Sequence, residues 1–143
     1  MEELRNNTRE TSVLNLRVGF EQLVVDKMQG YGEVLFVTAL GLRALLWSGA
    51  QSKAMLAFPL PDEIQAVLND LKKSKECFYV SGEVIDIDRL TKELASIREE
   101  GFAVTVGERV LASTGLAAPI FGRGHKVVSS ISVAGRFLGS PQL

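Results

Sequence analysis

The chain has 143 residues, of which 46% are apolar and 23% charged, so it fits one folded domain and is neither disordered nor collagen-like. Sixteen basic and seventeen acidic residues leave a formal net charge of -1. This charge argues against an independent nucleic-acid-binding protein, which usually carries an excess of basic residues on one face. With one cysteine, Cys77, and one histidine, His125, the chain has neither an internal disulfide nor the ligands of a structural zinc site.

No targeting or membrane segment is recognisable in the sequence. The most apolar stretch, residues 34–42, is far shorter than the ~20 residues that a membrane span needs. The acidic start, Met1-Glu2-Glu3, is unlike the basic start of a signal peptide. We therefore expect a cytoplasmic domain with no metal, no cofactor and no membrane contact.

The first part of the chain predicts a short helix or linker remnant over residues 1–10, followed by strands. Leu14, Leu16 and Val18 alternate with polar residues, which is the period of a half-buried strand. Gly19-Phe20 suits a tight hairpin turn. The returning strand is then predicted over residues 23–28 and a third, central strand over residues 34–40.

Helices are predicted in the middle of the chain and strands again near its end. A short helix is expected over residues 48–56, with Ser48 as its N-cap. A longer helix begins at Pro61 and carries one apolar stripe, and another begins after Asp86 or Asp88 and ends at Gly101. Short apolar strands follow at residues 116–121 and 127–133, joined by the glycine-containing loop 122–126. This order predicts an α+β fold, in which helices cover an antiparallel sheet.

Signals for an enzyme are weak. A G-x-S-x-G elbow is absent from the sequence, and the residue three positions before Lys53 is Ala50 rather than the serine of an S-x-x-K motif. Gly122 and Gly124 lack the third glycine of a dinucleotide-binding motif. His125 is expected in a turn and Cys77 in the core, so we predict no catalytic residues.

Residues 47–53, W-S-G-A-Q-S-K, form the segment with the clearest binding chemistry. Small residues precede a helical run, so the unpaired N–H groups at the helix start can be approached by a carboxylate or phosphate. The alternative is that Ser48 only caps the helix and Gly49 only permits close packing. The residues alone leave both interpretations open.

Four motifs in order resemble those of the IclR-type transcription regulators. Residues 91–103, T-K-E-L-A-S-I-R-E-E-G-F-A, resemble the family's E-L-x-x-I-R-x-x-G-(F/Y)-A signature. Residues 116–121, L-A-A-P-I-F, and 131–135, I-S-V-A-G, are similar to its V-A-A-P-V-F and L-S-V-S-G strands. Upstream, residues 42–54 are similar to its R-R-L-P-L-H-A-(T/S)-(A/G)-x-G-K-A stretch.

The resemblance implies that residues 1–143 are the C-terminal effector-binding domain of such a regulator, a GAF-like antiparallel sheet flanked by helices. The implied partners are a small organic acid, bound in a pocket on the sheet, and further copies of the chain in a homodimer or homotetramer. DNA would be bound only through a winged helix-turn-helix that is not present in this chain. The chain is then either an excised domain or a stand-alone sensor.

The resemblance also implies which residues bind the effector. The matching positions are Leu35, Trp47, Ser48, Gly49, Ala50, Thr105, Gly115, Ser132 and Ala134. Several of them depart from the family pattern: the usual histidine is Trp47, a pocket cysteine or polar residue is Gly115, and the second serine of the last strand is Ala134. The departures predict a less polar pocket, partly filled by the indole. They favour an apolar or aromatic effector, or else a degenerate domain that serves only for dimerisation.

Overall fold

Sheet and helix follow one another in nearly the predicted order. The computed structural model describes residues 1–32 and 38–136. In chain order the elements are α1 (Glu2–Thr8), β1 (Ser12–Val18), β2 (Glu21–Met28), β3 (Arg43–Leu45), α2 (Ala50–Leu56), α3 (Pro61–Lys73), α4 (Ile87–Glu100), β4 (Ala103–Val106), β5 (Ser113–Phe121), a 3-10 turn (Arg123–His125) and β6 (Val127–Arg136).

Across the described ranges 1–32 and 38–136, the strands form one six-stranded antiparallel sheet in the order β3-β2-β1-β6-β5-β4. Both predicted hairpins are confirmed: β1 and β2 turn at Gly19-Phe20, and β5 and β6 turn through residues 122–126. Most of the predicted strand at residues 34–40 lies outside the described residues. The sequence did not predict β4, which is short and has alternate residues, Ala103 and Thr105, buried. The α+β fold class is as predicted.

The two longer helices bury the predicted apolar stripes. On α3 the buried residues are Ile64, Val67, Leu68 and Leu71. The N-cap of α4 is Asp86, whose carboxylate accepts a hydrogen bond from the Arg89 N–H at 3.1 Å, and the helix ends at Gly101 in the left-handed region. Because both capping residues precede or follow an apolar run in sequence, these ends were the most accessible to prediction.

The short helix α2 lies in the centre, in contact with β4, β5, β6 and α4. Ala54, Met55 and Leu56 are fully buried there. The helix begins at Ala50, so the prediction of Ser48 as its N-cap is wrong: the N-cap is Gly49. Gly49 has a φ of 91°, a conformation that glycine adopts without strain and serine does not.

Gly30, just after β2, packs closely against the backbone that leads into β1. A Cβ on Gly30 would lie less than 3.0 Å from backbone atoms of Arg9, Glu10 and Thr11. The Gly30 N–H also donates to Thr11 Oγ1 at 3.1 Å, and Thr11 leads directly into β1. We expect Gly30→Ala to lower the free energy of unfolding by about 1–3 kcal/mol in urea titrations, because backbone cannot shift as a flexible side chain does.

Gly135→Ala is the matched control for this prediction. A Cβ on Gly135 would approach only the Glu10 side chain, at 3.3 Å from its Oε1, and that side chain can turn away. If Gly30→Ala and Gly135→Ala lost the same stability, the loss in Gly30→Ala could not be attributed to its contact with backbone atoms.

Candidate functional site

A cavity of about 180 Å³ lies where the start of α2 approaches the sheet. Five of the predicted site residues line it: Gly49, Thr105, Gly115, Ser132 and Ala134. The register brings them together, because Thr105 pairs with Gly115, and Gly115 pairs with Ala134 on the next strand. Ser132 lies two residues before Ala134 and therefore faces the same side of the sheet.

Small side chains keep the cavity open. A Cβ on Gly115 would lie 3.2 Å from both the Ala50 Cβ and Thr105 Oγ1, so a larger residue at position 115 would press on α2 and on Thr105. Ala134 beside it carries only a methyl group. The rest of the wall combines apolar and polar groups, among them Val13, Val24, Thr11 and Gln51.

Three other predicted site residues, Trp47, Ser48 and Ala50, do not line this cavity. Trp47 is 1% exposed and packs in the core, with its indole N–H donating to the Glu76 carbonyl at 3.1 Å. The structure thus differs from the expectation that the indole partly fills the pocket, because the ring is apolar and its one donor finds a backbone partner elsewhere. Ala50 is buried behind Gly115, and Ser48 is half-buried beside Gly49. Leu35 lies outside the described residues.

The start of α2 already holds a carboxylate, which belongs to the chain itself. The Gly49 N–H donates to Glu108 Oε1 at 3.0 Å. Glu108 lies in the loop between β4 and β5, and its backbone carbonyl accepts a hydrogen bond from the Val80 N–H at 2.9 Å. The sequence suggested the N–H groups at the helix start, at Ser48, Gly49 and Ala50, for an external acid, and that of Gly49 is occupied by Glu108.

The ammonium of Lys53 is fully buried and contacts the same Glu108 carboxylate. Its Nζ lies 2.6 Å from Glu108 Oε2 and 2.7 Å from Glu93 Oε1, and it also donates to the Tyr79 hydroxyl at 3.1 Å. The Lys53 side chain is 0% exposed, whereas the Glu108 and Glu93 side chains are 13% and 31% exposed. One cation thus joins α2, α4 and the loop between β4 and β5.

Burial and charge act in opposite directions on these groups. Burial lowers the pKa of Lys53, but Glu108 and Glu93 raise it by more, so the pKa lies above its ordinary value of 10.5. Burial raises the pKa of Glu108, and the Lys53 charge and the Gly49 N–H offset only part of this increase. The ammonium therefore stays charged at neutral pH.

Arg109 lines the cavity next to Glu108. A Cβ on Gly49 would lie 2.6 Å from Arg109 Cδ, so the arginine stem rests directly on the glycine. Burial lowers the pKa of this guanidinium, and within residues 1–32 and 38–136 it has no salt bridge. Sequence reasoning missed both Glu108 and Arg109. Glu108 is the single acidic residue after Gly101, which was the available signal for a partner of a buried lysine.

A second cavity, of about 360 Å³, lies beside Tyr79, Asp86, Arg89 and Glu93. Within the described part of the chain, Glu108 alone lines both cavities. Among the residues that the structure describes, no group of histidine, cysteine and acidic side chains is arranged to hold a metal ion. None of the described helices has the length and apolar character required to cross a membrane.

The chain matches known proteins over nearly its whole length. The family model "Bacterial transcriptional regulator IclR C-terminal" matches residues 1–138. The HTH-type transcriptional regulator KipR of Bacillus subtilis (strain 168) is 32% identical over 135 residues, which cover 94% of this chain and 53% of KipR. The chain thus spans about half the length of the curated relatives that it matches.

Solved structures show the same fold. The crystal structure of the Thermotoga maritima IclR superposes with a TM-score of 0.83 at 29% identity, over 94% of this chain and 53% of that one. An IclR homologue from Microbacterium hydrocarbonoxydans, crystallised in complex with 4-hydroxybenzoate, superposes with a TM-score of 0.83 at 21% identity, over 98% of this chain and 56% of that one. The α+β sheet and its helices therefore have the architecture of these C-terminal domains.

Removing the buried cation is expected to cost stability. Lys53→Met leaves Glu108 and Glu93 close together without a counter-ion, and we expect the free energy of unfolding to fall by about 3–5 kcal/mol in urea titrations. The double variant Lys53→Met with Glu108→Gln should recover part of this loss. If Lys53→Met alone were as stable as the wild type, the Lys53 ammonium would not be needed for the stability of the fold.

Measuring stability at alkaline pH separates the effect of the Lys53 charge from the effect of its packing. Because folding raises the pKa of Lys53, its contribution is complete below its ordinary pKa of 10.5 and is lost as the pH rises through the folded-state value. The wild type should lose more stability above this pH than the double variant, which lacks the ammonium.

Proposed function

The chain belongs to the IclR family of bacterial transcriptional regulators, and on this premise we propose that it is an effector-binding domain that takes up a small organic acid in the cavity beside α2. Binding to DNA, in this proposal, requires a winged helix-turn-helix outside the present chain. The members to which it is similar are regulators of transcription rather than enzymes. The cytoplasm is its proposed location, since that is where a bacterial regulator meets DNA.

The observation that carries the proposal is the cavity itself. Five positions that the family resemblance implies for effector binding open into one space of about 180 Å³. An engineered apolar cavity of ~150 Å³ binds benzene, so this volume suits a short acid or a single aromatic ring. Val13, Val24 and Leu42 offer apolar wall for the body of such a ligand.

Two hydroxyls on the sheet offer hydrogen bonds to the ligand. Thr105 is 7% exposed and Ser132 is 6% exposed, and both line the cavity. Neither hydroxyl makes a hydrogen bond to another described residue, in contrast to Ser129 and Ser130, whose hydroxyls donate to backbone carbonyls. Polar groups in a wall without internal partners are typical of a ligand site.

A second line of support concerns the class of ligand. The Microbacterium homologue with the same fold was crystallised with 4-hydroxybenzoate, an aromatic acid with a hydroxyl. The cavity of this chain has a matching combination of a cation, hydroxyls and apolar wall. We therefore place short keto and hydroxy acids and single-ring aromatic acids first among the candidate effectors.

Ligand binding is tested by thermal unfolding with a panel of acids: glyoxylate, pyruvate, 3-methylbutanoate, benzoate and 4-hydroxybenzoate. At ~100 times its dissociation constant a ligand should stabilise the fold by about 2.7 kcal/mol, which raises the melting temperature by several degrees. Ser132→Ala should then weaken binding by about 1 kcal/mol, as expected for one neutral hydrogen bond. Ser96→Ala, on the exposed side of α4, is the control. If no acid binds saturably, the domain is not a sensor of this class.

The exposed face of the sheet favours self-association as well. Leu16, Val18, Val104, Leu116 and Ile120 all lie on the face opposite α2, and each is at least 37% exposed. Contiguous apolar surface of this kind marks interaction sites. The second candidate function is therefore dimerisation alone. A domain with this function would need the exposed apolar face but not the cavity.

We expect light scattering at tens of micromolar to give at least twice the monomer mass of 15.6 kDa, because pairing two such faces removes apolar surface from water. Leu116→Lys should shift the protein towards monomer. Leu60→Lys, at an exposed position before α3, should leave the mass unchanged. A wild-type mass of 15.6 kDa would contradict self-association through this face.

A further inference from the structure

Two of the described residues that line the cavity are charged, and their situations differ. Glu108 accepts hydrogen bonds from the Gly49 N–H and from Lys53, so its charge is satisfied within the protein. Arg109 lies in the same wall and has no carboxylate within salt-bridge distance among the described residues. The cavity therefore contains one compensated anion and one cation that lacks a described partner.

The position of Arg109 is fixed by its contact with Gly49. The stem is so close that a Cβ on residue 49 would meet Arg109 Cδ at 2.6 Å and Cγ at 3.3 Å. Gly49 also has a φ of 91°, so any other residue would be strained there as well as obstructed by the arginine. These two residues fit each other, and the glycine allows the arginine to lie against the wall of the cavity.

A partly desolvated guanidinium without a counter-ion is unfavourable, and burial lowers the pKa of Arg109 with no opposing carboxylate among the described residues. The planar guanidinium donates two parallel hydrogen bonds to a carboxylate, which is the geometry of the strongest charge-assisted pairs. A ligand carboxylate beside Arg109 would supply the missing charge and use these donors.

We propose that Arg109 is the residue that binds the ligand's carboxylate, and that the ligand is a monocarboxylic acid whose remainder is uncharged. This inference rests on the proposed function, since it concerns the same cavity. It differs from binding at the start of α2, because the Gly49 N–H there is already taken by Glu108. Apart from Arg109 and Glu108, the described part of the wall consists of hydroxyl, amide and apolar groups, so a second carboxylate would find no second cation there.

The experiment compares acids with their neutral amides. Benzoate and benzamide, and 3-methylbutanoate and 3-methylbutanamide, differ in charge but little in shape, and succinate carries a second carboxylate. Dissociation constants are measured by calorimetry on the wild type, Arg109→Met, Arg109→Lys and Arg123→Met. Arg123→Met is the matched control, because Arg123 is exposed in the turn between β5 and β6 and does not line the cavity.

The wild type should prefer each acid over its amide by roughly 10- to 100-fold, and succinate should bind more weakly than either acid. Arg109→Met should abolish the preference for the acid, while its affinity for each amide stays within about threefold of the wild-type value. Arg109→Lys should keep part of the preference for the acid, and Arg123→Met should keep all of it. Thermal unfolding without ligand shows that each variant is folded.

Different failures identify different errors. An acid preference that survives in Arg109→Met would overturn the role of Arg109 but leave the proposed function intact. Succinate binding as tightly as benzoate would overturn the restriction to monocarboxylic acids. Absence of saturable binding of benzoate and 3-methylbutanoate to the wild type would overturn this inference, and failure of the wider acid panel would remove the proposed function too.

Discussion

The buried ammonium of Lys53 is the interaction on which the geometry of the cavity depends. A cation with no exposed surface needs anions close to it, and here they come from α4 through Glu93 and from the loop between β4 and β5 through Glu108. Neither carboxylate is near Lys53 in sequence. The attraction of both carboxylates to the Lys53 ammonium therefore holds the loop between β4 and β5 against α2. This loop in turn closes one side of the cavity.

Two positions that differ from the family stretch have separate structural consequences. Gly49 stands where the family stretch has threonine or serine, and its missing side chain makes room for the Arg109 stem. Trp47, in the position of the usual histidine, turns into the core instead of the cavity and satisfies its indole N–H at Glu76. The polarity of the site is thus set by residues 105–115 and the last strand, more than by the tryptophan.

Much of the fold followed from sequence because its signals are local. The alternation along β1, the stripe of α3 and the caps at Asp86 and Gly101 each depend on residues within a few positions of one another. The strand β4 has only four residues, too few for a period to be recognised. Its membership of the sheet depends on pairing with β5, which is a tertiary effect.

The site was only partly predictable for a similar reason. The family resemblance pointed to positions 105, 115, 132 and 134, because each lies within, or no more than two residues from, one of the motifs that resemble the family. Glu108 and Arg109 lie in a loop without a periodic signal, and their importance arises from contacts with Lys53 and Gly49 more than fifty positions earlier. Sequence spacing does not reveal that the Glu108 carboxylate pairs with Lys53, whereas the neighbouring Arg109 has no ion pair with any residue that the structure describes.

The sheet order has a consequence for how the domain forms. The first strand, β1, lies between β2 and the last strand, β6, and the Ser129 hydroxyl donates to the Asn15 carbonyl across 114 positions of the chain. The hairpin of β1 and β2 can form early, but the middle of the sheet cannot close until β6 has been synthesised. Such long-range pairing slows folding and leaves the edge of β1 unprotected in the nascent chain.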